Sequence, residues 1–422
     1  MCIYNGYNKN ELMKLKRNID EKLEEYKKQN LNLNMSRGKP CSEQLDLSKG
    51  LYENVKPLIS ESGIDCRNYG FLRGLPEALK LFADLLEVNT DEIFLGNNSS
   101  LNLMYDTIAR IFNHGIVKNK PWNKLEKVKF LCPSPGYDRH FNICELFNIE
   151  MIRVPLDENG PDMDMVESLV CKDKSIKGIW CVPKYSNPTG IVYSDQVVDR
   201  LASMTTAASD FRIFWDNAYI VHHLTEKRPE LKNILRTCEK YDNPDRVFIF
   251  SSTSKITYAG SGISLFASSV NNINYITNII SKQTIGSNKV NQLLHYRFFE
   301  TIEGIMAHME KHAAILKPKF DMVLNILNKE LKGKGIASWS KPEGGYFISL
   351  NVMKNCAKKV VQLAKDVGVT LTDAGATYPY GNDPEDNNIR IAPSYPSLSD
   401  LEKAIRIVCN CIEKVSLEKI LD

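Results

Sequence analysis

The sequence has no Cys-x-x-Cys pair and no Cys/His run at zinc-finger spacing, because its eleven cysteines (2, 41, 66, 132, 144, 171, 181, 238, 356, 409 and 411) are scattered. No metal site is expected from them. Their odd number, behind an N-terminal segment (MCIYNGYNKNELMKLKRN) that lacks a signal-peptide apolar core, reads as reduced thiols in a cytoplasmic protein. No stretch reaches the roughly 18 uninterrupted apolar residues of a membrane span. Charge of one sign is missing too: 54 basic against 51 acidic side chains leave +3. A nucleic-acid or membrane partner is therefore not expected. There is no internal repeat and no low-complexity linker.

What is present is a globular composition, 43% hydrophobic and 25% charged over 422 residues, enough for roughly two to three domain-sized units. Leu12, Leu15, Ile19, Leu23 and Tyr26 recur at helical steps through residues 9–29 and predict one amphipathic helix docked on a domain. From about residue 90 to 270, short apolar runs alternate with helical patterns. The runs are EIFLG (92–96), VKFLCP (128–133), IEMIRVP (149–155), IKGIWCVP (176–183), FRIFWD (211–216), RVFIFSS (246–252) and ISLFASS (263–269). This alternation predicts an α/β fold whose mostly parallel, seven-stranded sheet is covered on both faces. Ligands of such sheets sit beyond the carboxyl ends of the strands. After residue 300, long helical patterns surround strands in GGYFISL (344–350) and NNIRIAP (387–393). Residues 397–414 read as a helix opened by a capping box from Ser399 to Glu402.

Three strand ends carry polar residues of unusual type: Asn187 in YSNPTG, Asp216 in WDNAY and Lys255 in SSTSK. Singly, each has an ordinary explanation as a turn, a helix cap or a solvated loop. Together they meet the needs of pyridoxal phosphate, which requires a lysine amine, an acid at the pyridine nitrogen and donors for a phenolic oxygen. Asp216 supplies the acid, and Asn187 with Tyr219 supplies the donors. A phosphate site is offered by the turn Asn98, Ser99, Ser100 leading into a helix, and by Ser252 and Ser254 flanking the lysine.

In this ordered set the chain resembles the fold-type I pyridoxal-phosphate enzymes of the aspartate aminotransferase superfamily, most closely its type Ic aspartate aminotransferases. The likeness runs from about residue 35 to 395: Asn187–Gly190 matches the family's Asn-Pro-x-Gly, Asp216–Tyr219 its Asp-x-x-Tyr, and Ser252–Lys255 its Ser-x-Ser-Lys. The resemblance implies further roles. Tyr69 would reach the phosphate of a partner subunit, Tyr137 would stack on the pyridine ring, His140 would support Asp216, and Arg390 would grip the substrate α-carboxylate. Gly38, in SRGKP, falls where relatives approach that carboxylate. Many relatives carry a phosphate-binding Arg eight residues after the lysine, where this chain has Ile263; Arg73, Lys289 and Arg297 are candidates to replace it.

The expected protein is a homodimeric aminotransferase with active sites at the subunit interface. It would have an N-terminal helix and arm (1–45) belonging to a small domain, a large pyridoxal 5'-phosphate-binding domain (46–300) and a small C-terminal domain (301–422). Its catalytic residues are Lys255, Asp216 and Tyr219. It would move amino groups from amino acids to 2-oxo acids, aspartate and 2-oxoglutarate foremost, in a two-step ping-pong exchange through an aldimine at Lys255. A distal carboxylate needs a second cation, for which Arg37 and Lys289 are the candidates. The alternatives are a transferase for neutral or aromatic amino acids, a lyase of the same fold, or a non-catalytic effector body, the last disfavoured by the short segment before SRGKP. His222-His223 reads as strand-edge surface, and the lysine-rich stretch 118–129 as a solvated loop.

Overall fold

Each of the seven apolar runs forms a strand in the computed structural model, which describes residues 3–53 and 55–422; Cys2 lies outside the described residues. After an N-terminal helix (Lys9–Lys28) and a two-residue strand, β1 (Leu33–Asn34), the runs become β2 (Ile93–Leu95), β3 (Lys129–Ser134), β4 (Glu150–Pro155), β5 (Ile176–Cys181), β6 (Arg212–Asp216), β7 (Val247–Ser252) and β8 (Ser264–Ala267). They make one sheet in the order β2-β8-β7-β6-β5-β3-β4. β3 to β7 are parallel, and β8 runs antiparallel to its neighbours β7 and β2.

Both faces of the central strands are buried, which is why they read as unbroken apolar runs. Alternation assigns the two faces. Ile179, Ile213, Trp215 and Ile249 join an aliphatic core on one side, whereas Trp180, Phe214, Phe248 and Phe250 join an aromatic core on the other. Phe214 packs there within 4.8 Å of the Trp180 centroid and 5.2 Å of Phe130. Trp122 is buried in the same core and donates its indole N–H to Asp210, which also accepts from Lys177. Segment 118–129 is therefore pinned at its centre rather than solvated throughout.

A further core gathers residues from both chain ends. β9 (Ala337–Trp339), β10 (Ile348–Val352) and β12 (Asn388–Ile391) form an antiparallel sheet with β10 in the middle, while β1 pairs in parallel with β11 (Val369–Thr370). The N-terminal helix buries Leu12, Ile19 and Leu23, with Leu15 and Tyr26 packed beside them. It is tied to the C-terminal helix (Leu398–Leu421) by Lys414–Asp20 and Lys16–Glu418 ion pairs.

Two boundaries differ from expectation. The strand expected at residue 344 starts at Ile348, because Gly344 bridges to His223 and lies against Tyr185, where a Cβ would come within 2.3 Å of that ring, and Gly345 has φ +82°. The last helix is capped by Ser397, whose hydroxyl accepts from the Asp400 amide, not by Ser399. Among the described residues, no helix is long and apolar enough to cross a membrane.

Candidate active site

The chain order of the parallel strands places the chemistry. β7, β6, β5 and β3 are successive neighbours, so the residues following their carboxyl ends (Lys255, Asp216 with Tyr219, Asn187, and Tyr137 to His140) come together above one edge of the sheet. A cleft of about 570 Å³ there is lined by Arg37, Gly38, Tyr137, Asn187, Lys255 and Arg390, among others. Tyr219 lines it too. A Cβ on Gly38 would lie 2.4 Å from the tip of the Phe347 ring, so any larger residue there would push that ring aside.

Asp216 is buried at the last position of β6. Its Oδ2 is 3.0 Å from His140 Nε2, which donates to it. The His140 ring is held by stacking on Trp180, with centroids 4.3 Å apart and planes within 7°. Asp216 Oδ1 is buried and has no hydrogen-bond partner. A carboxylate oxygen so placed is costly unless a donor meets it.

The Lys255 amine lies 5.1 Å from the Tyr219 ring centroid and 5.9 Å from that of Tyr346. Burial pushes its pKa below the ordinary lysine value, with the Arg390 charge acting in the same direction and Asp216 opposing. Burial likewise raises the Tyr219 hydroxyl well above the usual tyrosine value, helped by Tyr137 and Asp216. Arg390, buried on β12, donates through Nη1 to Asp138 Oδ1 (2.9 Å) and to Asn187 Oδ1 (3.4 Å). With its oxygen turned to Arg390, the Asn187 amide has its N–H₂ left for another acceptor.

Beside Lys255, Ser254 Oγ donates to the Asn98 carbonyl (3.0 Å), and the Gly262 amide donates to Asn98 Oδ1 (2.7 Å). Ser99 caps the helix Ser100–His114, and Ser252 ends β7, so the expected phosphate residues gather at one helix start. Ile263 is buried in the aliphatic core, its amide donating to Thr253 Oγ1. Of the cations considered for that role, Arg73 is committed to the carbonyls of Thr90 and Asp91, and Arg297 to Glu61 and the carbonyls of Pro57 and Ile59. Tyr69 and Lys289 are not brought to the cleft of their own chain. Tyr69 is 80% exposed, and Lys289 donates to the carbonyl of Gly70 next to it.

Several contributors escaped the sequence reading. Asp138, Arg139, Lys39 and Thr372 line the cleft. The two on the PGYDRH run are adjacent to Tyr137 and His140, a signal that was available; Thr372 had none. His222 is buried rather than at a surface edge, and its Nε2 donates to the Lys255 carbonyl (3.3 Å). His308 Nε2 lies 2.8 Å from the Ile256 carbonyl, and His295 Nε2 accepts from Thr257 (2.9 Å) and Thr253 (3.2 Å). Three histidines thus hold the turn that carries Lys255.

A lysine with a lowered pKa and an unsatisfied buried carboxylate lie at neighbouring strand ends of the mostly parallel sheet, and Arg390 reaches the same cleft from β12 of the antiparallel sheet; this set suits amino-group transfer. Residues 7–422 match the family described as aspartate amino-transferase. The aspartate aminotransferase of Corynebacterium glutamicum is 48% identical over 397 residues, 93% of this chain and 92% of that one. A protein of Mycolicibacterium smegmatis is 48% identical over 396 residues, again 93% and 92% of the two chains. The crystal structure of an aspartate transaminase from C. glutamicum superposes with a TM-score of 0.94 at 46% identity, covering 98% of each chain. The chain belongs to this aspartate aminotransferase family, and it is an aminotransferase.

Proposed function

We propose that this chain binds pyridoxal 5'-phosphate at Lys255 and transfers the amino group of aspartate to 2-oxoglutarate. The observation that carries the reading is Asp216 Oδ1, buried and without a donor, at the strand end next to that of the lysine. A protonated pyridine nitrogen is the donor it lacks. The cofactor, when bound, supplies the electron sink for the Cα–H bond of the substrate.

The residues then divide the work. Asp216, oriented by His140, holds the proton on the ring nitrogen. Asn187 through its N–H₂ and Tyr219 through its hydroxyl would hold the phenolic oxygen, and Tyr137, which lines the same cleft, would pack on the ring. Asn98, Ser99, Ser100, Ser252 and Ser254 hold the phosphate with neutral donors. Arg390 would bind the α-carboxylate beside Gly38, and the Lys255 amine would take the proton from Cα as a general base. Its lowered pKa suits that task.

For the distal carboxylate, support comes from Arg37, Lys39 and Arg139 along the same cleft. The chain acts as a homodimer in this reading, with domains at 1–45 plus 301–422 and at 46–300, and one copy lends Tyr69 and Lys289 to the cleft of the other. That Tyr69 lies off its own cleft and is 80% exposed supports its loan; Lys289, beside it, is buried with its amine on the Gly70 carbonyl. We place the protein in the cytoplasm, supported by ten described cysteines that are all unpaired.

Borohydride reduction of the loaded protein followed by peptide mapping tests the assignment. Label on Lys255 is expected. Label on another lysine would remove the site described here.

A further inference from the structure

The geometry points to Asp138 as a resident counter-ion of Arg390 that the substrate α-carboxylate displaces. This rests on the reading of Arg390 as the α-carboxylate receptor and adds what that receptor does while the cleft is empty.

A guanidinium grips a carboxylate with two parallel N–H groups, so the question is which edge of Arg390 is open. The Nε–Nη2 edge is not: both nitrogens face Thr372 Oγ1, at 3.4 and 3.2 Å. That hydroxyl spends its own hydrogen on the Ser36 carbonyl at 2.7 Å, so its oxygen is fixed as an acceptor for Arg390. The guanidinium carbon also lies 4.9 Å from the Phe347 ring centroid, which covers one face. The Nη1–Nη2 edge remains. On it Nη1 already holds Asp138 Oδ1 at 2.9 Å and, more loosely, Asn187 Oδ1 at 3.4 Å.

Of these two occupants Asn187 is buried, whereas the Asp138 side chain is 25% exposed. Asp138 is also the one with somewhere to go. It is the first residue of the helix Asp138–Leu146, where a carboxylate is favoured by the helix dipole, and Arg139 beside it lines the same cleft. An arriving α-carboxylate therefore exchanges one ion pair for another instead of meeting a bare cation. The exchange lowers the affinity for every α-carboxylate ligand alike, and it keeps Arg390 oriented between turnovers.

The test uses the cofactor-loaded enzyme and the non-reacting probes 2-methylaspartate and 2-methylalanine, which carry an α-carboxylate and no Cα hydrogen, with ethylamine as the probe lacking a carboxylate. Binding is read from the visible absorbance. Asp138→Asn should lower the dissociation constants of both amino acids about tenfold, roughly 1.4 kcal/mol, and leave that of ethylamine unchanged. Asp138→Ser should move them in the same direction. A crystal structure with 2-methylaspartate should show Asp138 beyond the ~4 Å limit of an ion pair with Arg390. Weaker amino-acid binding in both variants, or an Asp138–Arg390 pair intact beside the bound ligand, would overturn displacement and make Asp138 a fixed orienting partner. Unchanged binding of 2-methylalanine in Arg390→Lys would instead remove Arg390 from the receptor role, and the displacement with it.

Discussion

His140 Nε2 stands 3.0 Å from Asp216 Oδ2, while Asp216 Oδ1 is buried with nothing to accept from. One oxygen is thus spent on fixing the carboxylate and the other is kept for a ligand. Asp216→Asn keeps the shape, loses the charge, and should reduce transfer about 10²-fold or more, the scale set by a positioned proton-handling group. The variant should still take up cofactor, read by its visible spectrum. Turnover near that of the wild type would show that the ring nitrogen needs no acid here.

Selectivity for two carboxylates should reside in the cleft cations. Arg37→Ala is expected to raise KM for aspartate and 2-oxoglutarate about tenfold, near 1.4 kcal/mol, while changing KM for alanine and pyruvate little. Equal changes for both substrate classes would move the distal site elsewhere.

Stability far from the cleft depends on Asp210, which is buried and receives both Lys177 and the Trp122 indole. Removing it strands a buried amine and a buried N–H. Asp210→Ala should cost about 3–5 kcal/mol of unfolding free energy by urea titration, the range for breaking one side of a buried ion pair. A loss below about 1 kcal/mol would class the pair with exposed ones.

Acid should loosen the histidine packing around the Lys255 turn. Burial lowers His295 and His312, whose Nε2 lies 3.1 Å from that of His308, from the ordinary 6.5 to about 4; the neighbouring His308 adds to the shift in His312. Between those two pH values the unfolded chain binds protons that the folded one refuses. The stabilisation is therefore complete above pH 6.5 and is lost as pH falls toward 4, with each ring contributing a slope of ~1.4 kcal/mol per pH unit. His295→Gln should reduce the slope of unfolding free energy between pH 6 and 5 by about that amount. Parallel curves for variant and wild type would contradict a neutral buried His295.

Much of this architecture was legible from residue order. β3 and β5 to β7 announce themselves because strands buried on both faces leave continuous apolar runs, while the edge strand β4 is buried only in part; the polar residues just past the central strands' ends are the ones a crevice requires. The short β1, β9 and β11, two or three residues each, leave no periodicity to detect. The partners of Arg390 were hidden for a different reason. Asp138 and Thr372 lie 252 and 18 residues from it in the chain, and only the fold brings them to opposite edges of one guanidinium. The histidines around the Lys255 turn share that origin: His222, His295 and His308 come from three separate segments, and nothing local shows that they meet. Ser397 displaced Ser399 as the helix cap because two serines stand two residues apart there and sequence cannot separate them.

The central claim is amino transfer from a dicarboxylic donor, and a single half-reaction tests it most directly. The loaded enzyme is mixed with aspartate in the absence of any oxo acid, and cofactor form and products are quantified together. The account predicts conversion of bound pyridoxal phosphate to pyridoxamine phosphate with one equivalent of oxaloacetate, faster than with alanine or phenylalanine at equal concentration. Release of ammonia with the cofactor still in its pyridoxal form, or preference for a neutral or aromatic donor, would contradict it.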